Sequence, residues 1–209
     1  MSDVKRTNKR AEKAKETRGR ILAAALELFL LDGYGATNLQ DVADRAGVAV
    51  QTIYFVFGNK RALLKELVDV TIAGDDEPVA TMDRPWYTAA LAAGTAQDLV
   101  RAHVAGTTAV LERVAPIGEL MRAAAASDPE VAALWPQEVD PRYVVQLGAA
   151  KALAGKPGAR VPAEEAADLL YGLLSPELYL LFVRERGWSR ERWEQWATRT
   201  LTAQLCDPS

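Results

Sequence analysis

Apolar residues recur at spacings of three and four along nearly the whole chain, and no sustained alternation of apolar and polar positions interrupts them. Spacings of three and four match the turn of an α-helix, whereas alternation marks a strand, so the pattern predicts an all-α protein. The first stripe of apolar positions consists of Ile21, Ala24, Ala25, Leu28 and Phe29. It predicts a helix from about Thr17 to Asp32, which Gly33 is placed to end.

Three shorter helices are predicted next. The second covers about 37–46, where Asn38 and Asp41 have the spacing of a capping box. The third covers about 50–57 and is closed by a Gly-Asn pair. The fourth covers about 60–74, and the Gly-Asp-Asp sequence that ends it is the best candidate for a domain boundary.

Beyond that boundary, proline at the first helical turn marks most of the predicted helix starts. These helices cover about residues 85–94, 96–114, 116–126, 129–135, 141–154, 162–186 and 189–205. Pro176 is expected to kink the longest of them. The chain is therefore expected to comprise a basic flexible arm at 1–16, a first domain at 17–74 that includes a linker helix at 60–74, and a second domain at 75–209.

Charge is distributed unevenly between the two ends of the chain. The whole sequence carries 25 Lys and Arg against 28 Asp and Glu, a formal net charge of −3. Residues 1–65 nevertheless hold 12 basic against 7 acidic side chains, and the remainder holds 13 against 21. A basic N-terminal third on an acidic body indicates that this end faces a polyanion such as DNA. The alternative for the charges at 5–15 is a solvated basic tail.

The second and third predicted helices are joined by Ala46-Gly47-Val48-Ala49, the arrangement of a helix-turn-helix unit. At about 100° per residue, one arc of the third helix is expected to face inward and the other outward. The inward arc holds Thr52, Ile53, Val56 and Phe57, and the outward arc holds Val50, Gln51, Tyr54 and Phe55. In this outward arc, Val50 and Phe55 could pack on thymine methyl groups, and Gln51 could pair with an adenine edge. The alternative is a helix buried on both sides.

Several short motifs occur together in this region: Gly33 to Val48 (GYGATNLQDVADRAGV), Thr52-Ile53-Tyr54, and Phe57 to Leu64 (FGNKRALL). In this order they resemble the DNA-binding segment of the TetR family, over about residues 17–70. The resemblance implies a helix-turn-helix domain joined to a helical ligand-binding and dimerisation domain. It implies a transcriptional regulator, a repressor released from operator DNA by a small-molecule effector. The alternative is a DNA-bound structural or cell-division factor that responds to a protein partner.

The resemblance, together with the outward arc of the third helix for Phe55, implies which residues bind double-stranded DNA. They are Thr37, Asn38, Gln40, Val50, Gln51, Thr52, Tyr54, Phe55 and Lys60. Thr37, Asn38 and Lys60 stand at helix N-termini, where phosphates bind, and the others stand where bases, sugars or the backbone are contacted. Two positions depart from the family pattern: Ala49 cannot cap the third helix with its side chain, and Val56 replaces a polar residue.

The last two helices would form a homodimer, as the resemblance implies. The expected interface residues are Leu170, Leu174, Leu178, Trp193, Trp196 and Leu201. Their spacing of three and four gives each helix an apolar stripe, and two copies of the pair would make a four-helix interface. The alternative is that the stripes are buried within one chain.

Helices between Pro85 and Ala154 would enclose the effector, again by resemblance. The candidate ligand-binding residues are Trp86, His103, Met121, Trp135, Tyr143, Tyr171 and Tyr179. Each of them taken alone is more often an ordinary core residue, and a lone histidine is more often structural. The abundance of Ala and Leu in these helices favours a fairly apolar effector.

Other function classes are less consistent with the sequence. His103 and Cys206 are the only residues of their types, so we expect no metal site and no cofactor. Neither a nucleophile-base pair nor a Gly-rich phosphate loop is present, which argues against an enzyme. Glu27 interrupts the apolar run 21–31, and Ser-Pro-Glu at 175–177 breaks the best membrane-spanning candidate. We therefore expect a cytoplasmic protein with no membrane association.

Overall fold

A computed structural model describes residues 2–74, 79–134 and 140–208, with the side chains of the described residues from position 10 onward. The helices are α1 Ser2–Asp32, α2 Leu39–Ala46, α3 Val50–Phe57, α4 Lys60–Ala73, α5 Pro85–Leu91, α6 Ala96–Ser127, α7 Pro129–Ala132, α8 Pro141–Ala154, α9 Ala163–Leu173, α10 Pro176–Leu180 and α11 Arg190–Leu205. A 3-10 turn, Thr81–Asp83, precedes α5, and a π-helical turn, Leu181–Glu185, follows α10. The predicted all-α class is confirmed.

The start of α2 forms as its sequence predicts. Asn38 Oδ1 accepts a hydrogen bond from the Asp41 N–H at 2.9 Å, and Asp41 Oδ2 accepts one from the Asn38 N–H at 3.2 Å. This reciprocal pair is a complete capping box and satisfies two backbone donors that the helix leaves open. Gly47 ends the helix with φ of 66°, a left-handed conformation that glycine adopts without steric cost.

Two helices extend beyond their predicted bounds. Helix α1 begins at Ser2, whereas the sequence predicted a basic flexible arm at 1–16 and a helix start near Thr17. The run AEKAKE at 11–16 consists of strong helix formers, and the helix continues through it. Helix α6 runs through Pro116, where two helices were predicted. Proline removes one helical hydrogen bond, and burial of Ala115 and Ile117 on either side holds the backbone in place.

The predicted helix at 162–186 is instead broken in two. Helix α9 ends at Leu173, and the Ser175 side chain caps α10 by accepting a hydrogen bond from the Leu178 N–H at 3.2 Å. Because a new helix begins here, Pro176 lies in the first turn of α10, where proline is tolerated. The expected kink within one continuous helix is therefore absent. Among the described residues, the stretch 163–185 has the length and apolar composition of a membrane-crossing helix, and this break lies inside it.

The chain divides into two compact units. The first contains residues 1–70 and 119–136, and the second contains residues 71–118 and 137–209. The sequence predicted one second domain at 75–209, whereas residues 119–136 group with the first unit. Within that unit, Arg61 Nε donates to Asp128 Oδ2 at 3.2 Å and Arg61 also pairs with Glu130. Ion pairs between residues so far apart in sequence leave no local signal that could predict this arrangement.

The second unit has its own core, and that core contains most of the predicted dimer interface. Leu170, Leu174, Trp193 and Leu201 are all fully buried within the single chain. The prediction that these four residues form a dimer contact is therefore wrong, because their side chains are buried within one chain. Trp193, for example, packs edge to face on Tyr179 with ring centroids 5.4 Å apart. Of the predicted interface residues, only Leu178 and Trp196 remain half-buried.

Helix α3 lacks a side-chain cap, and this generates a stability prediction. Ala49 occupies the N-cap position with extended dihedral angles, φ −73° and ψ 143°, that a capping serine also adopts. We expect Ala49→Ser to raise the free energy of unfolding by about 1 kcal/mol in urea titrations followed by circular dichroism. Ala49→Val serves as the control, because valine has no acceptor for a backbone N–H. Equal stability of the two variants would contradict the prediction.

Candidate functional site

Helix α3 presents one face of apolar and amide side chains to solvent. Tyr54 is 54% exposed, Phe55 is 91% exposed and Gln51 is also exposed. Ile53 and Phe57 on the opposite face are buried, at 0% and 9% exposure. The predicted outward arc is confirmed for the exposed residues, and burial of α3 on both sides is excluded.

Three further residues of α3 take positions between these extremes. Val50 and Thr52 are half-buried. Val56 was predicted to face inward but is 36% exposed, so its assignment to the buried arc is wrong. Helix α3 is only two turns long, and its two buried side chains, Ile53 and Phe57, pack it onto the rest of the first unit.

Packing around Phe57 fixes the orientation of α3 within the first unit. The Arg18 guanidinium of α1 lies 5.4 Å from the centre of the Phe57 ring, within range of a cation–π contact. Arg18 is also paired with Glu66 of α4. One guanidinium therefore links α1, α3 and α4, and the exposed face of α3 keeps a defined direction.

Lys60, a predicted phosphate contact at the start of α4, is held in one position by its neighbours. Its Nζ lies 4.3 Å from the centre of the Tyr34 ring and donates to the Gly35 carbonyl oxygen at 3.4 Å. Burial lowers the pKa of Lys60 from its ordinary value. The ammonium group is thus fixed beside the turn that precedes α2.

Thr37 has a different role from the one expected, because it is buried with 3% exposure. Its Oγ1 donates to the Gly33 carbonyl oxygen at 2.9 Å and lies 3.2 Å from that of Leu28. A hydroxyl engaged inside the domain cannot hold a phosphate, so this predicted contact is wrong. The side chain instead ties the turn before α2 to the end of α1.

Asn38 and Gln40 are exposed, but each has one polar atom already engaged. Asn38 uses Oδ1 in the capping box, and Gln40 Nε2 donates to Asp44 Oδ1 at 2.8 Å. The first N–H groups of a helix have no partner within it, which leaves those of Leu39 and Gln40 directed out of the first turn of α2. Such N–H groups can bind a phosphate.

Arg20 is a candidate contact that the sequence did not reveal. Its side chain is exposed, and its Nη1 lies 4.0 Å from the position that a Cβ atom would take at Gly47. Gly47 belongs to the turn between α2 and α3, so this guanidinium stands beside the helix-turn-helix unit. Arg20 directly precedes the buried Ile21 in α1, and its spatial neighbour is 27 residues away in sequence, which no local pattern indicates.

The second unit contains a cavity of about 200 Å³. Its walls are formed by Ile72, Thr81, Trp86, Thr107, Val110, Leu111, Val114, Pro141, Arg142, Val145, Gln146, Leu174 and Pro176. Most of these side chains are apolar, which agrees with the expected apolar effector. Thr107 and Gln146 are polar residues at nearly buried helical positions, 7% and 3% exposed. Polar residues on an otherwise apolar helical face were the signal that sequence reasoning missed.

The predicted ligand-binding residues do not all meet at this cavity. Trp86 lines it, and fully buried His103 contacts the lining residue Gln146 through Nε2 at 2.7 Å from Oε1. Tyr143 and Tyr171 instead pack on each other, with ring centroids 5.5 Å apart. Tyr179 packs on Trp193 in the core.

Two more of these predicted residues lie elsewhere. Met121 belongs to the first unit and does not line the cavity. Trp135 lies outside the described residues. Met121, Tyr143, Tyr171 and Tyr179 do not line this cavity, because composition alone cannot separate core side chains from lining ones.

Part of the first unit matches a known sequence family. The family described as "Bacterial regulatory proteins, tetR family" matches residues 21–67. The DNA-binding segment of this chain is similar to that of the TetR family. The HTH-type transcriptional regulator TtgR of Pseudomonas putida is 42% identical over 66 residues, which are 32% of this chain and 30% of TtgR. The matched segment thus spans only about a third of TtgR.

Solved structures extend the similarity to nearly the whole fold. The Bacillus subtilis transcriptional regulator FadR, solved in complex with stearoyl-CoA, has a TM-score of 0.65 at 18% identity and covers 87% of this chain and 96% of its own. NalD, the secondary repressor of the MexAB-OprM efflux pump in Pseudomonas aeruginosa, has a TM-score of 0.61 at 18% identity, covering 94% and 100%. At this identity the likeness establishes the fold: a TetR-type helix-turn-helix followed by a helical second unit.

The burial of Thr37 makes a prediction that separates a structural role from a DNA contact. Thr37→Val should lower the free energy of unfolding by about 1 to 3 kcal/mol, because buried hydrogen bonds are lost while the shape is kept. Thr37→Ser should retain the hydroxyl and most of the stability. Affinity of folded Thr37→Val for DNA, measured by fluorescence anisotropy well below its unfolding midpoint, should equal that of the wild type. Weaker DNA binding with unchanged stability would instead show that Thr37 contacts DNA.

Proposed function

We propose that this protein is a homodimeric, sequence-specific DNA-binding transcriptional regulator that represses transcription until a small molecule releases it. The observation that carries the proposal is the exposed face of α3, since Gln51, Tyr54 and Phe55 project from a helix that is anchored on its other side. Nearly complete exposure of a phenylalanine is unfavourable in water and is explained when a partner covers it. In a helix-turn-helix protein, that partner is the major groove.

The proposed DNA contacts fall into two kinds, base contacts and phosphate contacts, according to the chemistry of each side chain. The Gln51 amide can form two hydrogen bonds with an adenine, and Phe55 can pack on a thymine methyl group. The α2 N-terminus, Lys60 and Arg20 would hold phosphates, which position α3 without reading sequence. All these groups belong to the first unit.

The proposed dimer uses apolar side chains that the single chain leaves partly uncovered. Because Leu170, Leu174, Trp193 and Leu201 are buried, the contact must come from their partly exposed neighbours. Candidates on α9, the π-helical turn and α11 are Leu169, Leu173, Leu181 and Trp196. A two-fold axis would then place two α3 helices about one DNA turn apart, roughly 34 to 36 Å, on a near-palindromic site.

The cavity of the second unit supports a ligand-responsive regulator over a structural DNA-bound factor. FadR, which shares the fold, was solved with a bound small molecule, stearoyl-CoA. Residues of α4 belong to both units, so this helix would carry the response from cavity to DNA-binding unit. Coupling of about 1 to 3 kcal/mol would change operator affinity roughly 5- to 150-fold, and DNA would weaken the ligand by the same factor. Both DNA and a small-molecule signal are available in the cytoplasm, the proposed location.

Gln51→Ala tests the proposed reading of DNA. Sites selected from random DNA by the wild-type protein should be near-palindromic, and Gln51→Ala should lose about 1 to 3 kcal/mol of affinity for them. Its affinity for random DNA should stay the same, because phosphate contacts are intact. Lys60→Ala is the contrasting variant: it should weaken binding to selected and random DNA alike and reduce the salt dependence by about one counterion per site.

Two results would contradict the proposal in different ways. Equal losses by Gln51→Ala on selected and random DNA would show that Gln51 reads no base. Transcription in vitro from a promoter overlapping the selected site should fall when wild-type protein is added. A rise in transcript would leave the DNA-binding assignment intact and reverse the sign of regulation.

Leu181→Arg tests the proposed dimer surface. Leu181 is 41% exposed, so a charged side chain there leaves the core intact but opposes a second chain packing on it. We expect a monomer by light scattering at micromolar concentration, and weaker operator binding because one half-site alone is held weakly. Val144→Arg is the matched control, since Val144 is 39% exposed on α8. A dimeric Leu181→Arg protein, or a monomeric wild type, would exclude this interface.

A further inference from the structure

The cavity of the second unit combines apolar walls with a small polar group that has unused hydrogen-bonding capacity. Thr107 Oγ1 is buried, and the part of the chain that the structure describes provides no hydrogen-bond partner for it. An unsatisfied buried hydroxyl is costly, by an amount comparable to a hydrogen bond. Adjacent Thr108 is fully buried too, but its hydroxyl donates to the Val104 carbonyl oxygen at 2.7 Å. The unpaired hydroxyl is therefore specific to the threonine that lines the cavity.

Gln146, the second polar group, has its orientation fixed from behind. Its Oε1 lies 2.7 Å from His103 Nε2. The His103 ring is fully buried between Trp86 and Tyr87, with centroids 6.0 Å and 5.9 Å away, and burial lowers the pKa of His103, so the imidazole is neutral at pH 7. A carbonyl oxygen only accepts hydrogen bonds, so Nε2 carries the proton. The group that Gln146 retains for a ligand is its amide N–H2, a donor.

The one charged side chain among the described lining residues is already engaged. Arg142 Nη1 donates to the Tyr171 carbonyl oxygen at 2.7 Å, and its guanidinium stacks 3.5 Å from the centre of the Tyr171 ring. The hydroxyl of that tyrosine donates to Asp140 Oδ2 at 2.5 Å, which brings a carboxylate beside the guanidinium. Asp140 interacts electrostatically with Arg142, and the guanidinium is already engaged by Tyr171, so these contacts favour a neutral ligand over a charged one.

The size of the cavity limits the ligand further. An engineered apolar cavity of about 150 Å³ binds benzene. At about 200 Å³, this cavity accommodates one ring with a short substituent. A long acyl chain or a molecule with several rings would have to extend beyond this volume.

We propose that the effector is a small, neutral, single-ring-sized molecule with a hydrogen-bond acceptor, which Gln146 and Thr107 bind through their donors while the apolar walls enclose the rest. This inference deepens the proposed ligand-responsive function and rests on it. The cavity selects for a polar acceptor on an otherwise apolar body.

The experiment compares two probes of nearly identical shape on the purified full chain. Acetophenone has a carbonyl acceptor, and α-methylstyrene has a methylene group in its place. Calorimetry or tryptophan fluorescence, to which Trp86 in the cavity wall contributes, gives each dissociation constant. We expect acetophenone to bind about tenfold more tightly, the effect of one or two net hydrogen bonds. Benzoate, the anionic probe of similar size, should bind more weakly than acetophenone.

Variants assign the preference to the two donors. Thr107→Val should reduce the preference for acetophenone by about threefold or more and leave α-methylstyrene binding unchanged or tighter, since an unsatisfied hydroxyl is removed. Gln146→Leu should also reduce it. Thr108→Val, the same substitution at the neighbouring buried threonine, should leave the preference as in the wild type. General damage to the cavity would instead weaken both probes together.

Several outcomes would overturn the inference: no binding of either probe, equal binding of both, tighter binding of benzoate, or a preference that survives both Thr107→Val and Gln146→Leu. These outcomes concern the cavity alone and are measured without DNA. Gel-shift experiments with the selected site separate them from failure of the proposed function. If acetophenone binds with the stated preference but never alters DNA affinity, the ligand class stands and ligand-controlled repression fails.

Discussion

The exposed face of α3, which is the proposed DNA-contacting surface, depends on how two buried side chains hold the helix. A helix of eight residues is not stable in water by itself, and this one has no side-chain cap at its N-terminus. Ile53 and Phe57 supply the burial that keeps it folded, and Phe57 is in turn covered by the Arg18 guanidinium. If that packing were lost, Gln51 and Phe55 would no longer point in one direction. The reading face is thus a product of the core beneath it.

Local chemistry explains why the helix-turn-helix unit could be predicted from sequence. The capping box of Asn38 and Asp41, the left-handed Gly47 and the bounds of α3 all depend on residues within a few positions of one another. The periodicity of α3 likewise identified Ile53 as buried and Phe55 as exposed. Such features are encoded where they occur, so a single sequence reveals them.

The errors share a different physical origin, because each depends on distant packing. Thr37 has the residue type of a phosphate contact, but the chain folds its hydroxyl onto carbonyl groups of the preceding turn and helix. The stripe through Trp193 and Leu201 has the spacing of an interface, and periodicity cannot tell whether the covering surface belongs to the same chain. Thr107 and Gln146 stand out in sequence as polar residues on apolar helical faces, but only the three-dimensional arrangement shows that their helices surround one cavity.

The exposure of Phe55 has a thermodynamic consequence for recognition of DNA. Phosphate contacts release counterions, and their strength is set by salt. Removing a 91% exposed aromatic ring from water contributes a negative heat-capacity change instead. With α3 in the major groove, the enthalpy of operator binding would become more favourable as temperature rises, whereas binding to random DNA, held by phosphates, would show little such curvature. The heat-capacity change of binding would then distinguish a complex with α3 in the major groove from one held by phosphate contacts alone.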